Sequence, residues 1–170
     1  IALNKVLGNF TLPPLYASEF LHHCLEGRKG KRKVNYVSGE KVPQDDLDYI
    51  IKEITEQRGP WRGEHLHAHF NEKSQIISPK FDTSGKLEII TEELDPDTLM
   101  EDKKISVEDW LQNPTPQGLP RKDVKEGNFN YLYPKPNSVA GFVAGSGWAG
   151  LYCGRRPVGS DPAFGVRSAK

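Results

Sequence analysis

A single α+β domain is the fold class this sequence predicts, and three stretches predict it. Within residues 43–57, Leu47, Ile50, Ile51 and Ile54 recur at the i, i+3, i+4, i+7 spacing of one helix face. Within 64–70 the period changes to two: His65, His67 and His69 point one way, Leu66, Ala68 and Phe70 the other. From residue 74 onward, short β-prone runs are separated by turn residues, among them Asp82-Thr83-Ser84-Gly85. The expectation is an antiparallel sheet carrying the 64–70 strand. One long helix at about 43–57 and several short helices would pack on it.

A chain of 170 residues suits one domain spanning 1–170 and can bury a real core. Its 23 basic and 23 acidic side chains cancel. Contact with nucleic acid or an anionic surface would therefore need a local patch. No apolar run reaches the roughly 18 residues that span a bilayer, so no membrane partner is expected. Cys24 and Cys153 lack metal-ligand spacing and read as small buried hydrophobes. The chain opens on Ile1 with no signal-peptide pattern, as a domain cut from a longer protein would. A cytoplasmic location is the default expectation.

In chain order, residues 15–26 predict a helix. Pro13-Pro14 precedes it, Ala17, Phe20, Leu21, Cys24 and Leu25 lie at helical spacing, and Gly27 supplies a stop. Arg28-Lys29-Gly30-Lys31-Arg32-Lys33 puts five cations in six residues, either a phosphate-contacting patch or a solvated linker. Residues 34–37 predict a short strand. In the 43–57 helix, Asp45 and Asp46 favour the positive first turn, and Gly59-Pro60 follows as a terminator. Residues 74–81 and 86–91 predict a hairpin that continues from the 64–70 strand as a meander.

The acidic section 92–109 predicts short helices, with Asp95-Pro96 as one start and a Ser106/Asp109 capping box as another. Its carboxylates, Glu92, Glu93, Asp95, Asp97, Glu101 and Asp102, read either as metal ligands or as a solvated face. Residues 113–125 predict a long loop, a lid or a connection. Strands are expected at 129–133, 139–144 and 148–153. Glycines at 141, 145, 147, 150 and 154 mark bulges or close backbone approach.

The chemistry concentrates in the histidine strand, which holds three of the five histidines. Alternate residues on a strand are about 6.5–7 Å apart. His65 and His67 can therefore converge on one divalent metal ion, with His69 as a further ligand or supporting base. Asp82, Glu88, Glu92, His22 and His23 are the remaining candidate ligands. Alternatively the imidazoles work without metal as base and acid, helped by Tyr131, Tyr133, Lys135 or Ser146. The bland alternative is a polar, solvated sheet face.

Three short motifs resemble known families. His65-Leu66-His67 resembles the His-hydrophobic-His strand of HUH single-strand endonucleases, which implies a metal that polarises the scissile phosphate and a tyrosine nucleophile. No Tyr-x-x-Lys helix follows; Tyr131 and Tyr133 lie in a strand-like segment. His65-x-His67-x-His69-Phe70 is similar to the histidine-triad nucleotide hydrolase signature, with Asn71 at its final hydrophobic position. Gly59, His65, His67 and Glu72 resemble the first cupin motif, without that family's later histidine and with Pro79 in place of a glycine. None of the three extends beyond a few residues, and none assigns a family.

The function expected is that of a phosphodiester-cleaving hydrolase, a nuclease. His65, His67 and His69 would form its catalytic cluster with Tyr133, and His65 and His67 would hold any metal. Lys31, Arg32, Lys33, Arg155 and Arg156 would hold the nucleic-acid backbone. Two other classes compete. One is a cupin-like metal-dependent enzyme on a small molecule. The other is a non-catalytic binding module whose glycine-rich C-terminal hairpin presents Trp148, Tyr152, Arg155 and Arg156.

Overall fold

The computed structural model describes residues 11–156 and 164–165. Helix α1, Pro14–Arg28, starts on proline and buries Ala17, Leu21, Cys24 and Leu25 of the predicted stripe, whereas Phe20 is exposed. Gly27 does not stop it. The missing side chain there makes room for Val34, whose Cγ2 would lie 2.5 Å from a Cβ at this position. Helix α2, Gln44–Thr55, carries Asp45 and Asp46 in its first turn and buries Leu47, Ile51 and Ile54.

The expectation of one long helix over 43–57 is corrected. The helix closes at Thr55, because Glu56 is extended (φ −112°, ψ 156°) and the Arg58 N–H then donates to the Gly145 carbonyl at 2.9 Å. At 12 residues α2 is shorter than the 15-residue α1.

The strands are β1 (Arg62–Phe70), β2 (Gln75–Phe81), β3 (Leu87–Glu93), β4 (Lys103–Ile105), β5 (Phe129–Leu132), β6 (Ser138–Ala144), β7 (Ala149–Arg155) and β8 (Phe164–Gly165). They form one sheet in the order β3-β2-β1-β6-β7-β5-β4, with β8 paired to β1. The predicted meander β1-β2-β3 is antiparallel, with Asp82 and Gly85 closing the β2–β3 turn. The sheet as a whole is mostly antiparallel rather than wholly so, since β5 runs parallel to β7 and β8 parallel to β1. The fold is α+β.

Two local expectations change. Residues 34–37 form no strand, only a bridge from Asn35 to Lys41. Asp95 opens a turn rather than a helix: its carboxylate accepts the Asp97 N–H at 2.8 Å, and its carbonyl the Thr98 N–H at 2.9 Å. The capping box does form, and the Ser106 hydroxyl accepts from the Asp109 N–H at the start of α3, Val107–Gln112. The 113–125 loop is a packed connection. Leu119 is fully buried within it, and the Trp110 indole donates to the Gly118 carbonyl at 3.1 Å.

All three helices bury side chains in one core with a single face of the sheet. There Trp110 stacks on Phe129 with centroids 5.8 Å apart, and Phe142 packs against both rings. Burying each such ring stabilises by about 2–3 kcal/mol, so these contacts help to hold α3 on the sheet. Cys24 and Cys153 are buried and unpaired, and burial pushes the Cys24 thiol up to about 11. Among the described residues, no helix is long and apolar enough to cross a membrane.

Candidate functional site

The alternation in β1 divides its side chains between two environments. Leu66, Ala68 and Phe70 are buried in the core beneath the helices, while His65, His67 and His69 are partly exposed on the opposite face. The outer edge of β1 is satisfied in three pieces. β8 pairs with Gly63 and Glu64, the Leu12 carbonyl accepts the His67 N–H at 3.0 Å, and β2 pairs with His69 and Phe70. These bonds hold the imidazoles on rigid backbone.

Strand register builds two rows across this face. In the first, His65 pairs with Gly141 on β6, and Gly141 pairs with Tyr152 on β7. In the second, His69 pairs with Val139, and Val139 with Arg155. Between the rows β7 carries one residue more than β6, a bulge at the glycine-rich segment. The bulge keeps Tyr152 and Arg155 on one face although they are an odd number of residues apart.

The electrostatics follow from this placement. Burial lowers the pKa of His65, and the Arg155 guanidinium lowers it further. Burial also lowers that of His67. Both rings are therefore neutral near pH 7, with a lone pair for a proton or a metal ion. Beside them Trp148 stacks on Tyr152, with centroids 5.0 Å apart and planes within 9°. The strand residue between the two rings is Gly150, so no side chain separates them. Burial raises the Tyr152 pKa, and the nearby Asp102 carboxylate raises it further.

The remaining predicted site residues lie elsewhere. Tyr133 packs against the core, with the Lys135 ammonium 5.2 Å above its ring and its own N–H donating to Asp102. Lys31, Arg32 and Lys33 are exposed on the loop that follows α1, in the helical layer, so the sheet stands between them and the imidazoles. Neighbouring cations of that loop are ion-paired, Lys29 to Glu108 at 2.9 Å and Arg28 to Asp48 at 3.9 Å. Arg156 is exposed beyond the end of β7.

The candidate carboxylate ligands are engaged away from the histidines. Asp82 caps its own turn, Glu88 pairs with Lys86, and Glu92 pairs with Lys80. Among the described residues, no group of three or more His, Cys, Asp or Glu side chains is placed to hold a metal ion. The structure thus brings together His65, His67, His69 and Arg155, and adds Tyr152 and Trp148 as their neighbours. Assigning Tyr152 to the histidine face needs cross-strand register, and keeping Arg155 on that face needs the bulge; periodicity along one segment contains neither.

No protein-family model, curated protein or solved structure matches the chain.

Proposed function

We propose that the face of the sheet opposite the helices is the active site of a phosphodiester-cleaving hydrolase, a nuclease. The observation that supports this reading most is the placement of Arg155 in register with the histidine strand, beside imidazoles that burial keeps neutral.

In the reaction so assigned, one neutral imidazole of the His65/His67 pair takes the proton of the attacking hydroxyl as its oxygen bonds to phosphorus. The imidazolium so formed gives that proton to the departing oxygen as the P–O bond breaks, and the other imidazole orients the attacking hydroxyl. The Arg155 guanidinium donates to the non-bridging oxygens and offsets the charge that gathers on them. His69 supports the row nearest Arg155. A divalent ion held by His65 and His67 would use the same lone pairs and would polarise the phosphate instead.

The test is cleavage of single-stranded DNA and RNA by wild type and His67→Ala, each with and without chelator. Loss of cleavage in the variant supports the reading, and loss on chelation selects the metal form of it. Cleavage by His67→Ala at the wild-type rate would overturn it.

A further inference from the structure

We infer that Trp148 and Tyr152 form the base-stacking platform of this site, and that its substrate is single-stranded nucleic acid. The inference rests on the proposed nuclease reading and specifies which strand state that site accepts.

Three observations carry it. The two rings are stacked at 5.0 Å and nearly parallel, so a nucleobase can extend the stack on an outer ring face. Trp148 is partly exposed beside the β6–β7 turn, where Ser146 and Gly147 are exposed. Tyr152 lies in the same cross-strand row as His65 with only Gly141 between them, so a base on the platform sets its backbone toward the imidazoles. Charge complements the arrangement. Arg155 shares the face, and the Lys135 stem packs where a Gly154 side chain would point, close to the second row. Stacking accepts any base but requires it unpaired, because a duplex offers ring faces only at its ends. A flat aromatic pair beside a cation therefore favours single strands over duplexes.

The experiment uses the full chain carrying His67→Ala, so that cleavage does not consume the probe. A fluorescein-labelled single-stranded oligonucleotide, as DNA and as RNA, is titrated by anisotropy, with the matching duplex alongside. Added Trp148→Leu should weaken single-strand binding roughly tenfold, while Trp148→Phe should retain most of it. Both variants are first checked for wild-type thermal unfolding. If Trp148→Leu does not fold, tryptophan quenching by the oligonucleotide that is present in the His67→Ala protein and lost in its Trp148→Phe variant still decides. Equal affinity for Trp148→Leu, tighter binding of the duplex, or no binding of either strand would overturn the inference. Cleavage by wild type with no effect of Trp148→Leu would sink the platform and leave the nuclease reading standing. Stack-dependent binding without cleavage would do the reverse.

Discussion

Tyr152 stands in register with His65 across a single residue, Gly141, so the middle position of that row carries no side chain. The position lies between a ring of the proposed stacking pair and one of the imidazoles assigned to the reaction. Gly141→Val would place a branched side chain in it while suiting β-strand backbone. Cleavage should fall by at least about tenfold in steady-state rates, and thermal unfolding shows whether this buried position accepts the side chain. Unchanged cleavage would mean that substrate does not cross this row.

Gly150 has a different role, fixed by how closely β5 approaches β7. A Cβ there would lie 2.3 Å from the Asn130 carbonyl oxygen, so either the parallel pair parts or the backbone shifts. Gly150→Ala should cost about 1–3 kcal/mol in denaturant unfolding, the usual range for overpacking.

Glu53 gathers two cations at the start of β1: Arg58, which donates to it, and Arg62 at 2.6 Å. Its side chain is only 12% exposed. Glu53→Ala would leave both guanidiniums without their carboxylate. The expected loss is about 2 kcal/mol by urea denaturation, between the values for exposed and for buried pairs.

Stability should also fall on acidification through the histidines. His65 and His67 have folded-state pKa values below the ordinary 6.5, so the unfolded chain binds their protons more readily. The folded state is therefore penalised as pH drops below about 6.5, and the penalty is complete once pH passes the folded values. A His65→Gln/His67→Gln double variant should show a flatter unfolding midpoint between pH 7 and pH 5. An unchanged slope would contradict the burial of these rings.

What could be read from the sequence was whatever has a local period. The alternation of β1, the amphipathic stripe of α2, the 82–85 turn and the Ser106 cap each depend on neighbours within a few residues. The parallel pairing of β5 with β7 joins residues twenty apart through two intervening turns, and no local pattern announces it. The same limit applies to the site. His65, His67 and His69 were visible as one face, and Arg155 was visible as a cation. The pairing of Tyr152 rather than Tyr133 with that face depends on the register of β1, β6 and β7, and Arg155 joins it through a one-residue bulge in β7. The basic loop ending at Lys33 looked like a partner of the histidines in a linear reading. Three dimensions place it in the other layer, beyond the sheet.

The most direct test of the central claim is the single-turnover cleavage rate of a single-stranded oligonucleotide by His67→Ala, beside a thermal unfolding curve for the same protein. A positioned acid or base is worth about 100-fold or more. The rate should therefore fall by at least that factor while the unfolding midpoint stays within a few degrees of wild type. A correctly folded His67→Ala protein that cleaves as fast as wild type would contradict the account.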